Sequence, residues 1–169
     1  SLKAFSKGKL TEIADASGSS SFGYDTLGRL ITEAKTVDGT TYTIQRAYDL
    51  LGRLTALTYP NSDLAAYTYN DQGGIETITL QSAGLSVQNI INSVDYNAAG
   101  QITKMVYGNG VATDYSYNPQ TLRLQNLKSV GPGGVIQDFT YDFDGVGNVQ
   151  SIADAVHSAS QTFTYDSLN

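Results

Sequence analysis

From Tyr42 to Tyr48 the side chains alternate. Tyr42, Ile44, Arg46 and Tyr48 fall on one side of an extended chain and Thr43, Gln45 and Ala47 on the other, the period of two that marks a strand. Phe-Thr-Tyr and Tyr-Ser-Tyr runs elsewhere repeat it in miniature. Such runs lead into a tyrosine with a glycine four residues on, and a second apolar stretch such as Leu54–Tyr59 follows. That glycine supplies the left-handed backbone a tight turn needs. The Asp or Asn directly after the tyrosine can accept a backbone N–H two residues on and close the turn. Further turn signals follow each outgoing run: Asp38-Gly39, Pro60-Asn61, Asn109-Gly110 and the Gly-Pro-Gly-Gly of 131–134. The pattern predicts an all-β fold, tandem β-hairpins joined into one continuous antiparallel sheet, with no room for helices between the strands. The weakest strand pattern lies within 81–95, where the Ser-Val-Gln-Asn-Ile-Ile-Asn-Ser-Val run also fits one or two helical turns.

The turn phrase is a repeat, and the repeat is the organisation of the chain. It reads YDTLGRL from Tyr24, YDLLGRL from Tyr48, YNDQGGI from Tyr69, YNAAGQI from Tyr96 and YNPQTLRL from Tyr117. A sixth copy, YDFDGVGNV, starts at Tyr141, although a start at Phe143 restores the seven-residue length. A final YDSLN begins at Tyr165, and a worn half-copy, KGKLTEI, precedes the first. An aromatic often stands two residues before the tyrosine, as at Phe22, Tyr67, Tyr115, Phe139 and Phe163. An apolar residue recurs three past the phrase's last apolar position, as in Leu54/Leu57, Ile102/Met105 and Val149/Ile152; only Leu30/Glu33 departs. Residues 1–169 therefore read as one array of about seven repeats, the first and last incomplete. An array that begins and ends mid-phrase is expected to be a piece of something longer.

Composition narrows the function. Forty per cent of residues are hydrophobic and 15% charged, outside the signature of disorder. The net charge of −6, with ten scattered Lys and Arg, offers no electrostatic footprint for nucleic acid. No apolar run approaches the length of a membrane span. With no cysteine, disulfides and thiolate metal sites are excluded.

The carboxylates of Asp25, Asp49, Asp142 and Asp166 invite a catalytic reading, but catalytic acids come singly or as a pair with opposed environments. Their replacement by Asn70, Asn97 and Asn118 keeps the hydrogen-bond acceptor and discards the acid, which fits a turn-former. Asp142 to Asn148 has the oxygen-rich look of part of a calcium loop but lacks the bidentate glutamate of an EF-hand. Arg29 and Arg53 share one slot, suited to pairing with carboxylates or stacking over tyrosine. His157, the single histidine, cannot build a multi-histidine metal site. No Gly-x-Ser-x-Gly elbow or dinucleotide loop occurs. No active site, cofactor site or metal site is expected. The expected functional residues are structural: Tyr24, Asp25, Gly28, Arg29 and Leu30; Tyr48, Asp49, Gly52, Arg53 and Leu54; Tyr69, Asn70 and Gly73; Tyr96, Asn97 and Gly100; Tyr117 and Asn118; Tyr141, Asp142, Phe143, Asp144 and Gly147; Tyr165 and Asp166. The tyrosines are expected to act as a cross-strand ladder; a sugar-binding aromatic strip is the alternative.

These phrases resemble the YD-repeat family, also called rearrangement hot-spot repeats, from about Lys7 to Asn169. Residues 59–74 and 107–124 resemble its full repeat, an aromatic-Pro/Gly turn leading through a Tyr-x-Tyr strand into the phrase. The resemblance implies a sheet that spirals into a hollow shell, of which this chain would form a curved arc. It implies enclosure of a toxic polypeptide in bacterial members, and cell adhesion in teneurins. The partners so implied are neighbouring repeats of the shell, an enclosed toxin polypeptide, or a glycan in the adhesive reading. Exposed sheet edges would otherwise pair with other copies into filaments. Secretion or surface display follows from the same resemblance, by an unspecified route. The self-cleaving members carry Asp-Pro motifs; here Pro60, Pro119 and Pro132 follow Tyr, Asn and Gly, so self-cleavage is not expected.

Overall fold

The structure, a computed structural model, describes residues 5–166. All its regular elements are strands: β1 (Glu12–Asp15), β2 (Gly18–Tyr24), β3 (Leu30–Val37), β4 (Thr40–Tyr48), β5 (Leu54–Thr58), β6 (Leu64–Tyr69), β7 (Ile75–Gln81), β8 (Gln88–Tyr96), β9 (Ile102–Tyr107), β10 (Ala112–Tyr117), β11 (Leu124–Gly131), β12 (Gly134–Phe143), β13 (Val149–Asp154) and β14 (Ala159–Thr162). Strand order in the sheet is chain order, the meander expected. The backbone groups into two compact units. One runs up to Thr68 and includes Ile78–Gln88; the other comprises Tyr69–Thr77 and the described residues from Asn89 onward.

Two kinds of bend alternate. The phrase bends join β2 to β3, β4 to β5, and so on along the array. The others are shorter or more varied. At Asp38-Gly39 both residues have positive φ, 49° and 76°, the geometry of the tight hairpin turn that matches strand twist. Pro132-Gly133 closes β11 onto β12 with Gly131 opposite Gly134.

Within 81–95 the strand reading holds and the helical alternative does not. Residues 88–96 form β8, paired with β9. The adjacent Ile90 and Ile91 obscured the strand period because the register slips between Ile91 and Ser93. Asn92 is the extra residue, and its side-chain amide donates to the Tyr107 carbonyl at 3.3 Å.

A second, regular slip lies at the phrases. Opposite Gly23 and Tyr24 the partner strand passes from Thr32 to Leu30, leaving Ile31 extra. Thr55, Thr103, Gln125 and Gln150 are left over in the same way. These are β-bulges, which bend a strand and raise its local twist. They also explain the apolar rule. In an unbroken strand, residues three apart point to opposite faces; one extra residue returns them to the same face. Thus Leu54 lies opposite Tyr48 and Leu57 opposite Arg46, on the one face that Tyr48 and Arg46 share. The exception, Glu33, pairs with Arg46 Nη2 at 3.0 Å, while Arg46 Nη1 is buried without a hydrogen-bond partner.

The sheet has almost no dry interior. Among the described residues the buried apolar side chains are Ala65 and Val94, 6% and 7% exposed. In the second unit Val94, Met105, Thr113 and Ser129 stand directly opposite one another across β8 to β11. The Thr113 and Ser129 hydroxyls share a buried hydrogen bond of 2.7 Å. Without a covering layer, hairpin-to-hairpin contacts carry the load that a core carries elsewhere.

Candidate functional site

The phrase bend is a recurrent constellation of polar side chains. In the first copy, the Arg29 carbonyl accepts the Asp25 N–H and the Asp25 carbonyl accepts the Gly28 N–H. The Asp25 carboxylate does three further things. Its Oδ1 accepts the N–H groups of Leu27 and Arg29, each at 2.9 Å, and its Oδ2 accepts Arg29 Nε at 2.6 Å. The Asp49 bend reproduces this with Leu51 and Arg53. Asn70 and Asn97 keep the two backbone bonds through Oδ1, and Asn97 Nδ2 then donates to Gln101 Oε1 at 3.0 Å. Asn118 serves a longer bend, accepting from Gln120 and Thr121. Gly28, Gly52, Gly73, Gly100 and Gly147 have φ between 77° and 110°, a region costly for residues with a Cβ.

In the sixth copy the bend belongs to Phe143 and Asp144, correcting the placement of the phrase at Tyr141 and Asp142. Asp144 Oδ1 accepts from Val146, Gly147 and Asn148, and Oδ2 from the Asn148 amide. Tyr141 and Asp142 lie inside β12, opposite Ile152 and Ser151. Tyr141 takes the place of the flanking aromatic two residues before the phrase, as Tyr115 does opposite Leu127. The extra Asp-Phe pair had imitated an earlier start. Of the last copy, Tyr165 and Asp166 are described; Ser167–Asn169 lie outside the described residues.

The bends are fastened sideways. The hydroxyl of each of five phrase tyrosines donates to the carbonyl of the last apolar residue of the preceding phrase: Tyr24 to Leu10, Tyr48 to Leu30, Tyr96 to Ile75, Tyr117 to Ile102 and Tyr165 to Val149, at 2.7 to 3.0 Å. Side chains in the arginine slot reach forward. Arg29 Nη1 donates to the Asp49 carbonyl at 2.8 Å, Gln101 Nε2 to the Leu122 carbonyl at 2.7 Å and Arg123 Nη1 to the Asp144 carbonyl at 2.9 Å. The cations also cover the next ring: Lys9 over Tyr24, Arg29 over Tyr48 and Arg123 over Phe143, at 5.0, 4.9 and 5.7 Å from the centroids, within cation–π range. Lys9, Gln101 and Arg123 escaped the sequence reading. Their shared slot was visible in the alignment of copies, but its sideways reach depends on the spacing of neighbouring hairpins.

The electrostatics are those of a structural turn. Partial desolvation pushes the Asp25 carboxyl up, but the Arg29 N–H, the guanidinium and the Leu27 N–H outweigh it and hold the group below its ordinary value. At Asp49 the Arg53 N–H is the leading cause of the same lowering. Asp144 is also lowered, its desolvation outweighed by the N–H and side-chain amide of Asn148 and the N–H groups of Gly147 and Val146. Both Asp144 oxygens are thus engaged by protein donors, which argues against the calcium reading of 142–148. Among the described residues no group of three or more His, Asp or Glu side chains could hold a metal ion. His157 sits in the bend between β13 and β14 with Nδ1 2.6 Å from Asp154 Oδ2, exposed and with no nucleophile in that contact. No helix among the described residues is long and apolar enough to cross a membrane.

One bend departs. In the copy from Tyr69, Gly74 occupies the arginine slot and has no side chain to send forward. A cleft of about 520 Å³ opens there, lined by Asn70, Gln72, Gly73, Gly74, Tyr96, Asn97, Ala98 and Gly100. The Tyr96 ring lies so close to Gly74 that a Cβ there would come within 2.8 Å of it.

Comparison with known proteins places this geometry. The family model described as the teneurin YD-shell matches residues 6–169. The chain is 30% identical over 143 residues to toxin subunit YenC1 of Yersinia entomophaga, covering 75% of this chain and 15% of that protein. It is 39% identical over 98 residues to toxin subunit YenC2 of the same organism, covering 54% of this chain and 10% of that one. Among solved structures, the TcdB2–TccC3 crystal structure aligns with a TM-score of 0.86 at 27% identity, over 95% of this chain and 9% of that one. The Photorhabdus luminescens Tc holotoxin pore aligns with a TM-score of 0.80 at 27% identity, over 87% and 8%. The chain therefore spans only a small part of the proteins it resembles. The repeated phrase, its bends and the match across almost the whole sequence have one reading: the chain belongs to the teneurin YD-shell family.

Proposed function

We propose that this chain is a wall segment of a YD shell in a bacterial toxin subunit, where it helps enclose a toxin polypeptide, and that it has no catalytic role of its own. The observation that carries this is the sideways fastening. Five phrase tyrosines bond back through their hydroxyls to the preceding phrase, and three slot side chains bond forward to the next. Such a unit adds hairpins indefinitely without a second layer, as a thin wall requires. The names of its relatives support the toxin context. Five phrase tyrosines spend their hydroxyls on backbone carbonyls, and cations cover three of the phrase rings, which leaves little of a sugar-binding strip. Export from the bacterium is part of the same proposal.

The test is electron cryo-microscopy of the complete reading frame that contains this chain. The expected result is a hollow body with these bends in its wall and separate polypeptide density inside. A compact body with no internal space would overturn the proposal.

A further inference from the structure

We propose that the cleft between the Tyr69 and Tyr96 bends is a binding site for a primary carboxamide, the side chain of a glutamine carried by a partner polypeptide. Gly74 sends no side chain into this cleft, and the cleft's walls specify what fills it.

One wall is a donor. Asn70 Oδ1 accepts the N–H groups of Gln72 and Gly74, at 3.1 and 2.9 Å. That fixes the amide orientation, so Nδ2 occupies the position from which Asp25 Oδ2 and Asp49 Oδ2 meet their arginines. A slot facing Asp takes a guanidinium; a slot facing an Asn Nδ2 needs an acceptor. The opposite wall is an acceptor. The carbonyl of Asn97 takes the Gly100 N–H and has a second lone pair. It is the equivalent of the Asp49 and Asp144 carbonyls that receive Arg29 and Arg123. Tyr96 supplies a flat ring as a third wall, its hydroxyl-bearing edge packed directly against Gly74.

One acceptor and one donor on a planar group is the pattern of a carboxamide. The chain holds its own example one copy later. Gln101 Oε1 accepts from Asn97 Nδ2 while its Nε2 donates to the Leu122 carbonyl. Asn70 Nδ2 repeats that donor, and the Asn97 carbonyl offers an acceptor at the position of the Asp49 and Asp144 carbonyls rather than of Leu122, with no glutamine between them. A guanidinium would face Asn70 Nδ2 donor to donor, so it is the disfavoured ligand. The bond pattern is independent of what the shell encloses, so the site stands or falls separately from the proposed function.

The test is a titration of the 169-residue chain followed by amide NMR, with propionamide and ethylguanidinium as probes. Propionamide is expected to give saturable shifts at Asn70, Gly74, Asn97 and Gly100, with at least about fivefold tighter binding than ethylguanidinium. Asn70→Asp keeps the Oδ1 bonds, as Asp25 and Asp49 do, and turns the donor wall into an acceptor. In that variant the preference is expected to invert. Far-ultraviolet circular dichroism establishes that the variant is folded. No saturable shift at these residues in the unaltered chain would overturn the proposal. An unchanged preference in folded Asn70→Asp would overturn it as well.

Discussion

At the residue scale, the Asp of the phrase is a hydrogen-bond hub, and its charge matters only as far as the arginine slot uses it. Asp49→Ala removes the acceptor for Leu51 N–H, Arg53 N–H and Arg53 Nε together, whereas Asp49→Asn keeps both backbone bonds and loses only the Oδ2 contact with Arg53 Nε. Alanine is therefore expected to lower the urea midpoint clearly more than asparagine; equal effects would assign the residue's value to charge. The lowered values of Asp25, Asp49 and Asp144 also set a pH dependence. A group lowered by folding contributes stability that is fully present above its unfolded value, near pH 4, and is lost as the pH falls through the folded value. Urea midpoints are expected to be flat from neutral pH down to about pH 4 and to fall below it. The fall is expected to be shallower in Asp25→Asn. Glycine has a separate role. Gly52 has φ 83° with no atom closer than 4.0 Å to an added Cβ, so Gly52→Ala isolates backbone strain and is expected to cost about 1–2 kcal/mol. Gly145, in the same kind of bend with open space around it and no positive φ, is expected to accept alanine at little cost.

At the scale of elements, the bends were legible because their chemistry is local: a tyrosine, an acceptor one residue on and a glycine three after that. The strands were legible where alternation was clean, as in Tyr42 to Tyr48. Bulges were not, because an extra residue is defined only against a partner strand. The apolar residue three past the phrase was the visible trace of one bulge per repeat, and the Ile90-Ile91 doublet was the trace of another. The true start at Phe143 was legible as an alternative, and the arrangement of Tyr141 opposite Ile152 decides it. The Glu33–Arg46 pair gives the bulge account a test. Glu33→Leu places an apolar residue where the other copies have one but strips Arg46 of its partner. It is expected to cost up to about 1 kcal/mol in urea unfolding. Adding Arg46→Leu is expected to recover that loss. Recovery would be missing if Glu33 and Arg46 did not share a face.

At the scale of the whole molecule, stability is spread over neighbour contacts, as in other repeat arrays. Almost no side chain is withdrawn from water on all sides, and exposed apolar residues such as Leu50 and Leu51, 98% and 79% exposed, crown the bends. What was illegible in the sequence was therefore mostly lateral. The tyrosines were read as rings stacking on rings, whereas five of them act through hydroxyls aimed at the preceding phrase. The most direct measurement of that claim is urea unfolding of a set of single substitutions in the 169-residue chain. Tyr48→Phe, Tyr96→Phe and Tyr117→Phe are each expected to cost about 0.5–1.5 kcal/mol, while Tyr42→Phe and Tyr59→Phe, outside the phrase and half-exposed, are expected to cost little. Phe143→Tyr, which adds the hydroxyl that the pattern of the other copies directs to the carbonyl of the preceding phrase's last apolar residue, Leu124, is expected to stabilise by about 0.5–1 kcal/mol. Equal costs inside and outside the phrase, with no gain at Phe143, would contradict the account.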